Sequence, residues 1–262
     1  MPKLSVTFDL WDTLLNDQRG YDKERRMMRC TAILNVLKSH NLEPSWNRLL
    51  QAYDKSGSWL QTAWQTRKEI STLDQARRIA SEAVESLPTN PDFIHELDNA
   101  YIKPVLELPP RLSGEAVETL TGIRERSLRI GLICNIGRSS GRILRDLLTD
   151  LHILDFFTAT VFSDEIGIRK PDRRIFEAAA NQLNVDISTI VHIGDHPEAD
   201  VWGAKHAGMK AVLLELPTEL LGGLDLASLW RSTKSIPDSD IRPDARIRSL
   251  KQVLNFVDRY VM

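Results

Sequence analysis

Five short apolar runs constrain the fold of this chain more than any other feature. They are "LSVTFDL" (4–10), "LRIGLICN" (128–135), "ATVFSD" (159–164), "TIVHIGD" (189–195) and "KAVLLEL" (210–216). Each is short, rich in branched residues and closed by a polar or turn-forming residue, which is the pattern of a strand buried on both faces. Helical periodicity fills the gaps between the later runs, at 138–150, 171–184 and 199–207. Strand, helix and strand in alternation predict a Rossmann-like α/β core, a parallel sheet with helices on both faces. A chain of 262 residues, 42% hydrophobic, is long enough to bury such a core and leave a smaller unit beside it.

One segment breaks the alternation. From 17 to 107 no run reads as a strand, and stretches such as "RRMMRCTAILNVLKSH" and "TLDQARRIASEAVESL" carry helical periodicity. Lying between the first and second strands, this segment reads as an inserted α-helical cap domain that packs its own small core and lies over the strand ends. The division is therefore 1–16 with 108–262 as the α/β core, and 17–107 as the cap. Toward the C-terminus, 217–246 is rich in Pro, Gly and Ser, and "ARIRSLKQVLNFVDRYV" suggests a short edge strand followed by a closing helix.

Thirty-four basic and thirty-six acidic side chains leave a net charge of -2. That balance predicts neither a nucleic-acid partner nor a membrane surface. No apolar run approaches the ~20 residues a membrane span needs, and "MPKLSVTFDL" does not read as a secretory signal. Cys30 and Cys134 form no paired motif, which suits free thiols in a reducing, cytoplasmic setting. The sequence sets no oligomeric state.

In open parallel sheets ligands bind beyond the carboxyl ends of the strands, so the residues leaving each strand belong together. The first strand ends in Asp9, Trp11, Asp12 and Thr13, and the second in Cys134 and Asn135. Lys170 follows the third, and Gly194, Asp195 and Asp200 follow the fourth. Each alone reads as a turn or cap residue. Together they gather several carboxylates and one ammonium at one sheet edge, where a bound divalent cation would relieve their repulsion. Oxygen-only ligands of this kind suit Mg²⁺.

These motifs resemble the haloacid dehalogenase (HAD) superfamily. "FDLWDTLL", "GIRKPDRRIFEAA" and "VHIGDHPEADVWGAKHAGM" are similar to its first, third and fourth motifs, and the helical insertion resembles its first-position cap. The resemblance implies an enzyme, a Mg²⁺-dependent phosphatase-type hydrolase acting on a small phosphorylated metabolite. Asp9 would be the nucleophile, forming an aspartyl-phosphate. Asp9, the Trp11 backbone carbonyl, Asp195 and Asp200 would hold the metal. Lys170 would neutralise Asp9 and the phosphoryl group, and Cys134 and Asn135 would bind phosphate. Gly194 would allow close backbone approach, with Gly203 and Gly208 serving helix packing and the next turn.

Two positions depart from the family's phosphatases. Trp11 stands where a second Asp shuttles a proton, and an indole is a donor only. Asp12, in the usual glycine place, is read as bracing the loop into the cap. Cys134 stands where Ser or Thr is usual; a thiol is a weak donor, and the amides of 135–137 are its expected substitutes. A dehalogenase-like or phosphonatase-like reaction, or a non-catalytic role in binding a phosphorylated ligand or a protein, are the alternatives. A phosphonatase needs a Schiff-base lysine in the cap, for which Lys23, Lys55 and Lys68 are the candidates. "CNIGRSSG" is two residues short of a cysteine-phosphatase loop.

His192, inside a strand, reads as a core histidine. His196 reads as a loop residue, with a substitute acid as its alternative role. Arg25, Arg26, Arg29, Arg138 and Arg169 read as solvated charged positions that otherwise meet an anionic substrate, and "RKEISTLDQARR" reads as a solvated helix face.

Overall fold

The structure is a computed structural model, and it describes residues 4–215 and 236–261. Strands β1 (Ser5–Phe8), β4 (Arg129–Cys134), β5 (Ala159–Phe162), β6 (Ile190–Gly194), β7 (Lys210–Leu214) and β8 (Ala245–Ile247) form a six-stranded sheet in the order β5-β4-β1-β6-β7-β8. Every neighbouring pair is parallel. All four residues of β1 and all five of β6 are buried, which is why both read as unbroken apolar runs rather than alternating ones. The five predicted strands are all present, and β8 is the expected edge strand. Part of the Pro/Gly/Ser-rich stretch, 217–235, lies outside the described residues.

Helices cover both faces. α6 (Ala116–Glu125), α7 (Gly141–Asp150) and α11 (Gln252–Val261) pack on one, and α9 (Arg173–Leu183) and α10 (Gly203–Ala207) on the other. α7 buries Ile143, Leu144, Leu147 and Leu148, positions spaced to make one apolar stripe. β1 lies between β4 and β6, so the strand order reverses beside it. The exits of these three strands meet at that switch point, and the candidate site lies there.

Between β1 and β4 the chain builds α1 (Tyr21–Ser39), α2 (Trp46–Gln65), α3 (Thr72–Ser81), α4 (Pro91–Ile102) and the short α5 (Pro104–Glu107). Ser45, Ser71 and Asn90 cap α2, α3 and α4 by accepting a backbone N–H. The insertion leaves and rejoins the core through a two-stranded antiparallel ribbon, β2 (Leu15–Asn16) with β3 (Arg111–Leu112). Arg25 ties the two crossings together, holding Asp17 with both Nη atoms and donating to the Leu108 carbonyl at 2.9 Å. The cap does not pack a separate core as expected. Its Ile33, Leu37, Ile79 and Phe93 join one apolar cluster with Val6, Leu132 and Val191 of the sheet, and the crossing residues Leu10, Leu14, Leu15 and Val105 belong to it as well.

Candidate active site

Asp9 leaves β1 with its N–H donated to the Ile193 carbonyl at 2.8 Å, so the sheet itself fixes it beside β6. Lys170 Nζ donates to Asp9 Oδ1 at 2.5 Å, to Asp200 Oδ1 at 2.7 Å and to the Ile133 carbonyl at 2.8 Å. All three ammonium protons are thereby used. Thr13 Oγ1 donates to the other Asp9 oxygen at 3.3 Å.

Asp200 is placed by a six-residue π-helical turn, Pro197–Trp202, which follows β6. Its second oxygen accepts the His196 N–H at 2.9 Å, and a Cβ on Gly194 would collide with its carboxyl group. Gly194 is therefore required by close approach, as the sequence predicts. His192 Nε2 lies 3.2 Å from Asp200 Oδ1, and its Nδ1 lies 3.0 Å from Thr7 Oγ1. The expected core histidine thus also braces Asp200, a role that sequence reading missed.

Burial pushes the Asp9 carboxyl up, with Lys170 opposing and the Asp200 charge adding to it. Burial disfavours the Asp200 carboxylate too, but Lys170 and the His192 hydrogen bond outweigh it and hold the group well below the usual carboxylate range. His192 is pushed down by burial and is neutral at pH 7.

Ligand oxygens of Asp9, Asp195 and Asp200 lie within 4.8 Å of one another. With all three ionised, the carboxylates would outnumber the single ammonium of Lys170 by two charges, and Asp9 and Asp200 are buried. A donor set of oxygens carrying that excess fits a hard divalent cation of the Mg²⁺ type.

Cys134 is the buried strand-end residue, and Asp12 the loop-bracing residue, that the sequence also suggests. The Asn135 carboxamide accepts from Lys170 N–H at 2.7 Å and donates to the Lys170 carbonyl at 3.0 Å, so it is engaged with the main chain of the lysine. Cys134 is fully buried, with Sγ 3.4 Å from the Asn135 carbonyl. Burial raises its thiol well above the ordinary value, so no thiolate is available there. Of the amides expected to replace it, Ile136 N–H is already given to Ser163 Oγ at 2.8 Å. Asp12 has φ +56° and closes a turn by donating N–H to Leu15 at 2.7 Å, which explains an acid in the usual glycine place, since Asp tolerates the left-handed region. Trp11 is half-buried and packs on the core cluster.

The charged cap segment is not simply solvated. Glu69 is buried and pairs with Arg169 at 2.7 Å, while Ser163 also donates to it and Arg169 stacks on Trp64. Gln75, on the same stretch, is fully buried and donates to the Gly137 carbonyl at 2.9 Å. Arg25, Arg29, Arg138 and Arg169 are all buried, and of the five arginines only Arg26 is not. The cap lysines Lys23, Lys55 and Lys68 are all exposed, which removes the desolvation a Schiff-base lysine needs.

A family model described as haloacid dehalogenase-like hydrolase matches residues 5–208. The chain belongs to that family. This HAD-like hydrolase is 30% identical over 220 residues to glyceraldehyde 3-phosphate phosphatase of Pyrococcus abyssi, covering 79% of each chain. It is 34% identical over 211 residues to the Methanopyrus kandleri protein of the same name, covering 79% of this chain and 82% of that one. Among solved structures it resembles 2-haloacid dehalogenase from Pseudomonas syringae pv. Tomato DC3000, with a TM-score of 0.64, 25% identity and coverage of 99% and 100%. Family membership and the phosphatase relatives make the chain a hydrolase of phosphatase type. Among the described residues no helix is long and apolar enough to cross a membrane.

Proposed function

We propose that this HAD-like hydrolase is a Mg²⁺-dependent phosphatase that acts on a small phosphorylated metabolite through an aspartyl-phosphate on Asp9. The observation that carries the reading is the cluster of Asp9, Asp195 and Asp200 around a site already braced by Lys170. Asp9, the Trp11 carbonyl, Asp195 and Asp200 would hold Mg²⁺, which supplies positive charge opposite the phosphoryl oxygens. A carboxylate oxygen of Asp9 attacks phosphorus and the ester oxygen departs with its electron pair. The departing oxygen takes a proton from solvent and leaves as the alcohol. Water then attacks phosphorus, the bond from phosphorus to the Asp9 oxygen breaks, and hydrogen phosphate leaves with a proton of that water, restoring the Asp9 carboxylate. Lys170 opposes the protonation of Asp9 that burial favours, and its charge favours the developing negative charge on the transferred group.

The buried free thiols of Cys30 and Cys134 suit a reducing, cytoplasmic setting. On this reading the core at 1–16 and 108–262 carries Asp9, Lys170, Asp195 and Asp200, and the cap at 17–107 would lie over the strand ends.

A 2-haloacid dehalogenase is the second reading, favoured by Trp11 in place of the acid and by the similarity to a dehalogenase structure. The clustered carboxylates argue against it, because displacement of a halide at carbon has no need of a divalent cation. The test is release of phosphate from aryl, acyl and sugar phosphates, with Mg²⁺ and with chelator. Phosphate release that Mg²⁺ restores and that Asp9→Asn abolishes is the expected result. Halide release from a 2-haloacid in the presence of chelator would overturn the proposal in favour of the second reading.

A further inference from the structure

Two polar side chains lie buried at the centre of the sheet. Thr7 of β1 and His192 of β6 are wholly inaccessible and stand opposite each other in the parallel register of the two strands. Burying such groups is costly unless their polar atoms are met. Thr7 Oγ1 lies 3.0 Å from His192 Nδ1, and His192 Nε2 lies 3.2 Å from Asp200 Oδ1. A carboxylate only accepts, so Nε2 carries the ring proton. Nδ1 of the neutral ring then holds a lone pair, to which the Thr7 hydroxyl donates. The relay runs one way, from Thr7 through the ring to Asp200.

Both side chains are also held by their neighbours. A Cβ on Gly131 of β4 would lie 3.0 Å from the Thr7 methyl group, so that strand leaves only the room Thr7 needs. Phe176 of α9 meets the His192 ring edge to face, with centroids 5.4 Å apart and planes at 83°. Packing thus sets the plane of the ring, and Thr7 sets its tautomer. Asp200 has use for such a fixed donor, because the last torsion of an aspartate side chain is soft. Among the described residues it receives Lys170 and His192 on Oδ1 and the His196 N–H on Oδ2. Each carboxylate oxygen has two lone pairs, so the position left for a cation is on Oδ2.

We infer that Thr7 and His192 are positioning residues for the divalent cation: they hold the Asp200 carboxylate so that Oδ2 keeps a lone pair for the metal, and they thereby set the affinity of the site for Mg²⁺. The inference rests on the Mg²⁺ reading of the Asp9, Asp195 and Asp200 cluster. It goes beyond that reading by giving work to two residues outside the cluster.

The test is calorimetric titration of the protein with Mg²⁺, which needs no substrate and no turnover. His192→Leu removes both ring nitrogens and should weaken Mg²⁺ binding by about 10- to 100-fold, as loss of a group that orients a metal ligand does. His192→Gln can return an N–H to Asp200 and should recover most of that loss. Thr7→Val removes only the hydroxyl and should weaken binding by about 3- to 10-fold. In the His192→Leu background Thr7→Val should have no further effect, since Thr7 acts through the ring. The sign is diagnostic. A carboxylate that has lost a donor is the stronger base, so charge alone would raise the affinity, whereas lost orientation lowers it. Affinity unchanged or raised in His192→Leu and Thr7→Val, whatever their stability, would overturn the inference.

The wild-type protein supplies a second test that needs no substitution. Long-range ¹H–¹⁵N spectra should show His192 with its proton on Nε2 and none on Nδ1. A proton on Nδ1 would overturn the relay even if every variant failed to fold. Failure of the inference and failure of the metal reading are told apart by the first titration. Wild-type protein that binds no Mg²⁺ would remove the metal reading and this inference with it, whereas equal binding by the wild-type protein and every variant would remove the inference alone.

Discussion

The Asn135 carboxamide and the Lys170 main chain form a closed two-bond ring, with Lys170 N–H donating to Oδ1 at 2.7 Å and Nδ2 donating back to the Lys170 carbonyl at 3.0 Å. The end of β4 thereby sets the position of an ammonium group delivered by a loop that follows β5. These two bonds make Asn135 a positioning residue for Lys170. Asn135→Ala removes both bonds and leaves two backbone groups to find water, at a cost of about 1–3 kcal/mol. The expected outcome is a kcat lowered by about 10- to 100-fold with KM changed only a few-fold, measured by steady-state phosphate release. A change confined to KM would return Asn135 to the role of a substrate ligand.

Glu69 and Arg169 join cap and core across a buried seam. The pair is 2.7 Å apart with side chains 1% and 2% exposed, and Ser163, which receives the Ile136 N–H, also donates to Glu69. One cap carboxylate therefore holds the loop preceding Lys170 and, through Ser163, the loop following β4. Glu69→Gln removes the carboxylate charge facing the buried Arg169 guanidinium, and the loss in unfolding free energy should be about 3–5 kcal/mol in urea titration. Replacing both partners, Glu69→Leu with Arg169→Met, should recover most of that loss, since the cost lies in the unpaired charge. A double variant as unstable as Glu69→Gln would show that the seam depends on the geometry of the pair instead.

On the proposed phosphatase reading Trp11 occupies the place of the family's proton shuttle, and its effect depends on the leaving group. Aryl phosphates depart without a proton, whereas alkyl phosphates need one, and general acid help is worth roughly 10²–10⁴ in rate. Trp11→Asp should therefore raise alkyl phosphate hydrolysis by at least tenfold and change aryl phosphate hydrolysis by less than threefold. A fall in both rates would make Trp11 a packing residue of the core cluster it touches, and the absent acid would no longer explain the enzyme's rate.

The sheet and its acids were legible for one physical reason: β1 and β6 are buried throughout, so their runs are apolar and end abruptly in Asp9 and Asp195. Gly194 could be read through the family resemblance, and the structure supplies the reason in the Asp200 carboxyl group that crowds it. The seam was not legible. Glu69 and Arg169 are 100 residues apart, and a carboxylate whose partner is that distant looks like any solvated charge on a helix-period segment. The same applies to Gln75, fully buried on a stretch that reads as polar surface. Asn135 was found for its place after β4, yet its contact with the main chain of Lys170 depends on the path of a loop from β5, which periodicity does not encode. Asp12 did carry a local signal, since an acid replacing glycine is what a left-handed turn tolerates.

Asp164 gives the protein a stability that depends on pH in a predictable direction. Its carboxylate receives the Gly141 N–H on both oxygens, at 3.0 and 3.2 Å, just as α7 begins. Burial nevertheless dominates and pushes the group from 3.8 up to about 6, with the Gly141 hydrogen bond opposing. Between about pH 4 and pH 6 the folded chain thus binds this proton more tightly than the unfolded chain does. Stability contributed by the group is present below pH 4 and is lost as pH rises through about 6, after which it is constant. Asp164→Asn keeps an acceptor for Gly141 and cannot ionise, so it removes this slope. Unfolding free energies from urea titration at pH 4, 5, 6 and 7 should show the variant gaining on the wild-type protein step by step up to pH 6 and no further. A difference between the two proteins that stays constant across the four pH values would mean that Asp164 titrates as an ordinary exposed carboxylate, and that its bond to Gly141 offsets burial in full.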